Sequence, residues 1–154
     1  QWLFAAIDKV SESAIQQAQQ HQDQLTKPQG SLGLLESIAV TIASLQKTDS
    51  PSVNKAQIII YAADHGIAQE NVSAFPQAVT AEMVKNFSSG GAAVSVLSEQ
   101  HKLPLEVINL GLVSGLPDLR YVVKQCIAPG TKNFLQQQAM TTEQLNQAFS
   151  IAKN

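Results

Sequence analysis

Apolar positions along this chain follow two different rhythms. In the first third they recur at helical spacing: Val10, Ala14, Ala18 and Leu25 stand on a Gln-rich background, the mark of one apolar helix face. Ser11 or Ser13 is available as N-cap. Pro28 disfavours helical backbone at Lys27, so the first helix is expected to end near that point. A second helix is predicted from about residue 31 to residue 46, with Leu35, Ile38, Ile42 and Leu45 as its apolar stripe. The cluster Thr48-Asp49-Ser50-Pro51-Ser52 then breaks the pattern. It separates a helical segment, 1–50, from an α/β domain, 51–154.

Beyond the break, apolar residues gather in short continuous runs. Residues 56–63 read AQIIIYAA, which predicts a strand buried on both faces of a parallel sheet. A loop with Pro76 follows, then a helix over about 79–87, the punctuation Ser88-Ser89-Gly90-Gly91, and a helix over 92–100. A second apolar run, 105–112, ends near Gly111. Helix between two such strands is a βαβ unit. Residues 121–123 are a candidate third strand. Thr141-Thr142-Glu143-Gln144 fits a capping box, with Thr141 as N-cap and Gln144 at the third helical position, opening a helix toward Ala152. The fold class is therefore α/β: a partial, parallel, Rossmann-like sheet with flanking helices and a helical N-terminal annex. Two or three strands fall short of the about five or six usual in a sheet. The last helix would normally cross over to a further strand, and the chain opens on Gln1-Trp2-Leu3 without Met. Together these features predict the N-terminal portion of a longer domain.

Composition narrows the function classes. Hydrophobic residues make up 44% of the 154 and charged residues only 14%, with a net charge of −2 and no basic run. That excludes nucleic acid as a partner, since its backbone demands clustered Lys and Arg. No apolar stretch approaches the roughly 20 residues of a membrane helix, and the start does not resemble a signal peptide. A single cysteine, Cys126, permits no disulfide within the chain and fits a reducing compartment. The expected location is the cytoplasm.

Ligands of open α/β sheets bind beyond the carboxyl ends of the strands, which singles out Asp64-His65-Gly66. The pair suits a proton shuttle or part of a metal site, although two ligands fall short of the three or four that zinc takes. The competing reading is local: Asp64 caps the following turn, His65 packs, and Gly66 supplies an unusual backbone angle. Ser88-Ser89-Gly90-Gly91 reads as an anion cradle or, more simply, as a helix breaker. Lys27 is expected to be solvated. Cys126 is expected to be a small buried residue, and His21 and His101 to be solvated.

The exact strings go further. Lys27-Pro-Gln-Gly-Ser-Leu-Gly-Leu-Leu-Glu36, Ala62-Ala-Asp-His-Gly-Ile67, Val72-Ser-Ala-Phe-Pro-Gln77, Val79-Thr-Ala-Glu-Met-Val-Lys-Asn-Phe87, Gly90-Gly-Ala-Ala93 and Ala139-Met140-Thr141 occur in this order. They resemble the ordered motifs of the nicotinate-nucleotide–dimethylbenzimidazole phosphoribosyltransferase family. The resemblance implies transfer of a phosphoribosyl group from nicotinate mononucleotide to 5,6-dimethylbenzimidazole, without a cofactor or metal, by a homodimer. It also implies that the general-base glutamate and a glycine-rich phosphate segment lie beyond Asn154, so that this chain alone is inactive. The family's base-pocket positions fall on Phe75 and Met83, where some members carry Ser and Gln. Asp64 and His65 join them as candidate substrate-binding residues. Gln29, Leu34 and Gln138 depart from the family's Pro, Arg and Pro, which puts any charge contact at position 34 in doubt. Two rival readings are a base-binding module without turnover and a metal-dependent hydrolase built on Asp64 and His65.

Overall fold

The computed structural model describes residues 4–153. Contacts divide the chain into two compact units, with the boundary between Lys55 and Ala56, and each is described by itself.

The first unit is a pair of helices, α1 (Glu12–Gln24) and α2 (Leu34–Gln46). Ser11 is the N-cap of α1, its hydroxyl accepting the Ala14 N–H at 3.2 Å. The helices begin and end inside the predicted limits because two tight turns occupy the linker. In them Ser31 N–H donates to the Pro28 carbonyl and Gly33 N–H to the Gly30 carbonyl. Lys27 is not solvated, contrary to expectation. Its ammonium donates to Glu36 Oε1 at 2.7 Å, with both side chains largely covered (13% and 17% exposed). The same oxygen accepts the Leu32 N–H, so the two ends of the Lys27–Glu36 motif are tied across its turns. The apolar stripe of α2 also behaves differently. Leu35, Ile38 and Leu45 are exposed, and the buried residues are Ala14 and Ala18 on α1 with Ala43 and Ser44 on α2. Small side chains let two helix backbones approach closely. Periodicity reports that a face is apolar, not which neighbour covers it.

The second unit is α/β. Its elements are β1 (Ile58–Ala63), a 3₁₀ turn (Gly66–Glu70), α3 (Ala78–Ser89), α4 (Ala93–His101), β2 (Leu105–Gly111), β3 (Val122–Lys124) and α5 (Thr142–Lys153). The three strands form one parallel sheet in the order β1-β2-β3, with Ile58 opposite Leu105 and Val107 opposite Val122. The predicted βαβ unit is thus present, with α3 and α4 as its crossover. Ala62, Ala81, Val84, Val107 and Leu112 form the core, flanked by Ile60, Phe87 and Val122. β1 is not buried on both faces as its sequence suggested. Residues of one side pack under α3, whereas Ile59 and Tyr61 on the other remain 44% and 45% exposed. The capping box is formed reciprocally: Thr141 N–H donates to Gln144 Oε1 at 2.9 Å, and Gln144 N–H to Thr141 Oγ1 at 3.2 Å. Among the described residues no helix is long and apolar enough to cross a membrane.

Candidate substrate-binding site

The site begins where β1 ends. The β1–β2 register shifts between Ala62 and Ala63, an irregularity that re-aims the strand at its mouth. Asp64 follows, 2% exposed. Its N–H donates to the Gly111 carbonyl and its own carbonyl accepts the Thr131 N–H, both at 3.0 Å. Its Oδ2 accepts the Val113 N–H at 2.8 Å, while Oδ1 is buried without a partner. Asp64 therefore does not cap the turn after it; the cap position is His65, which makes no side-chain cap bond. Asp64 instead joins the end of β1 to the loop beyond β2.

Residues 64–66 also grip a segment more than sixty positions away. His65 pairs with Thr131 as an isolated parallel bridge, and Gly66 N–H donates to the Thr131 carbonyl at 3.0 Å. Gly66 does not occupy positive φ, so the expected unusual angle is not its role. A Cβ there would meet the Lys132 carbonyl carbon at 2.6 Å and the Thr131 oxygen at 2.8 Å. The glycine is required by close approach. Gly111 combines both demands, with φ 143° and the Ala128 carbonyl where a Cβ would stand.

This framework shapes a cavity of about 450 Å³, within the ordinary range for small-molecule sites. Val79, Met83 and Phe87 line one wall at four-residue spacing along α3. Phe75 faces them from the preceding loop, 70% exposed, its N–H held by Ser73 Oγ at 3.2 Å. Asp64 and His65 complete the mouth. All four candidates named from the sequence thus line one cavity. Gln77 lines it too, and its amide nitrogen donates to the His65 carbonyl at 2.9 Å. Gln77 also borders a neighbouring polar cavity of about 630 Å³ with Lys132 and Asn133.

The phosphoribosyltransferase family profile matches residues 7–154. The chain is 49% identical over 149 residues to the nicotinate-nucleotide–dimethylbenzimidazole phosphoribosyltransferase of Xanthomonas oryzae pv. oryzae, covering 97% of this chain and 43% of the relative. The chain belongs to the nicotinate-nucleotide–dimethylbenzimidazole phosphoribosyltransferase family. The corresponding protein of Pseudomonas putida is 42% identical over 153 residues, covering 99% of this chain and 44% of the relative. A crystal structure of the Thermus thermophilus protein superposes with a TM-score of 0.79 at 40% identity, covering 90% of this chain and 42% of that one. The chain therefore spans less than half the length of the relatives it matches, and its α/β fold is the family's.

Other sequence candidates stay outside the cavity of this family member. Ser88-Ser89-Gly90-Gly91 is a helix breaker: α3 ends at Ser89 and Gly90 closes it at φ 83°. Cys126 is exposed, contrary to expectation. Its neighbours Gln125 and Ile127 donate to the Asn109 and Leu110 carbonyls, so the segment runs extended beside β2. Residues 123–126 all lie exposed along it, and Ile127 is the first to be half-buried. His21 and His101 are exposed as expected. Among the described residues no three His, Cys, Asp or Glu side chains come together, which leaves the metal-hydrolase reading without a ligand set there. Sequence reasoning missed Gln77, Thr80, Phe87 and Thr131. The first three lay in the quoted motif strings, and the Val79–Met83–Phe87 spacing was a usable signal. Nothing local announced Thr131.

Proposed function

We propose that this chain carries the acceptor pocket of a phosphoribosyl transfer. In this reading 5,6-dimethylbenzimidazole takes the phosphoribosyl group of nicotinate mononucleotide, giving α-ribazole 5′-phosphate and nicotinate. One observation supports it above others: Phe75, Met83, Asp64 and His65, from separate stretches of the sequence, line a single cavity at the carboxyl end of β1. A flat methylated bicycle suits stacking on the Phe75 ring and contact with the Met83 thioether. Asp64 is already engaged by the Val113 N–H, so its part is to hold the mouth of the pocket in shape.

Transfer further needs a general base within about 3 Å of the ring nitrogen, or one water away, and a phosphoribosyl group held in line. We assign both tasks to residues outside these 154, and propose that the chain binds the base without turning over by itself. Two copies are proposed to pair through the exposed aliphatic face of α2, because contiguous apolar surface of that kind marks association.

The test is calorimetry with dimethylbenzimidazole, alongside chromatography of nicotinate released from nicotinate mononucleotide. Binding without release is expected, with release appearing when the C-terminal portion of a full-length relative is added. No binding would remove the pocket assignment. Release by the chain alone, lost in Asp64→Asn, would make Asp64 the catalyst. Binding with no release under either condition would favour a base-binding module.

A further inference from the structure

At the opposite end of the sheet, where β2 begins and before β3, lies a separate cavity of about 480 Å³. Lys102, Arg120 and Tyr121 border it, together with the Ser88–Gly90 turn and Glu99. Neither Lys102 nor Arg120 forms an ion pair among the described residues, although the chain as a whole is acidic. Arg120 is not free to wander: its guanidinium carbon lies 4.4 Å from the centroid of the Tyr121 ring.

The backbone that presents this pair is strained. Tyr121 has φ 65°, a conformation that a bulky side chain rarely adopts and that persists only where the surroundings over-determine it. Two bonds do so. Ser88 Oγ donates to the Arg120 carbonyl at 2.7 Å, and Val107 N–H donates to the Tyr121 carbonyl at 2.8 Å. The neighbouring hydroxyls are committed in the same sense, Ser95 donating to the Phe87 carbonyl and Ser98 to the Leu103 carbonyl. Ser95 and Ser98 are buried, so the acceptors left at the cavity are the more open Ser88 and Ser89 oxygens and the Glu99 carboxylate, beside two cations.

We propose that this cavity is a second small-molecule site, and that its ligand is a sugar phosphate. Arg120 supplies a planar fork for phosphate oxygens and Lys102 a point charge. The Ser88 and Ser89 oxygens and Glu99 accept sugar hydroxyls, which a bare inorganic anion could not offer. Ligands of parallel sheets ordinarily sit at the carboxyl ends of the strands. A site at the amino ends is therefore distinct from the acceptor pocket, and the one wall the two share is Phe87.

The probe is ribose 5-phosphate, titrated into the 154-residue chain at constant ionic strength and followed by amide chemical shifts, with ribose and inorganic phosphate as separate arms. Saturable shifts are expected at residues 88–90, 102–105 and 120–121 for ribose 5-phosphate, weaker ones for phosphate and none for ribose. Arg120→Gln should weaken binding at least tenfold. Lys132→Gln, which alters the polar cavity at the other end, should leave it unchanged. Equal binding of phosphate and ribose 5-phosphate would overturn the sugar assignment. Shifts confined to residues 130–137, shifts that do not saturate, or an Arg120→Gln chain that binds as well as the parent would overturn the site itself.

Discussion

The helical hairpin and the α/β unit use their apolar residues in opposite ways. In the hairpin the buried residues are the small Ala14, Ala18, Ala43 and Ser44, while Leu35, Ile38 and Leu45 of α2 are exposed and Val40 and Ile42 only half-buried. In the α/β unit the largest fully buried apolar side chains, Val84 and Val107, are at the centre, and the chain closes over them. Burial of apolar area is the main driving force for a compact unit, so the second unit should carry most of the chain's intrinsic stability. The first buries only small side chains between its helices and gains less from that term. The lesson extends to the site: within the well-packed unit, the apolar side chains left exposed beside the mouth of β1, Phe75 and Met83, are pocket walls.

The comparison is broken most directly by forcing a side chain into the α/β unit's tightest contact. Gly111→Ala should destabilise that unit by about 3 kcal/mol or more, from overpacking plus backbone strain. Amide exchange resolved by residue is the check: loss of protection in β1 and β2 is expected while α1 and α2 keep theirs, and equal loss in both would mean the two units unfold as one. Phe75→Ala should weaken dimethylbenzimidazole by about 0.5–1.5 kcal/mol beyond lost area without moving the thermal midpoint. A large drop in that midpoint would instead make Phe75 part of the packing.

In the hairpin, Leu35→Ser with Ile38→Ser should change stability of the isolated chain by no more than about 0.5 kcal/mol each, as exposed substitutions do. Its visible effect should be on light scattering, which would shift toward monomer; an unchanged dimer moves the interface elsewhere. The smallest effect is electrostatic. Glu36 titrates below its ordinary 4.5, first because Lys27 donates to it and next because the Leu32 N–H does. The unfolded chain thus takes up this proton before the folded one. The contribution is fully present above about pH 4.5 and fades as pH falls through the lower folded value. Glu36→Gln should flatten the acid side of the hairpin's helix signal between neutral pH and pH 3. An unchanged acid limb would show the ion pair to be thermodynamically silent, its attraction offset by the cost of ordering and desolvating the two side chains.

The sequence by itself determined the elements whose causes are local. The caps at Ser11 and Thr141, the breaker at Ser88–Gly91 and the apolar runs of β1 and β2 each rest on interactions within a few residues. A short window of sequence contains the whole cause. The ordered motif strings also pointed to Phe75, Met83, Asp64 and His65, and those residues line one cavity. Tertiary structure alone decided which face of α2 is covered, that one side of β1 stays open, and that Cys126 points outward. It alone brought residues 128–133 against Asp64–Gly66, with glycine at 66 and 111 because a backbone from far along the chain passes there. Such pairings depend on the register of distant segments, and hydrophobic periodicity carries no information about which distant segment will be the neighbour.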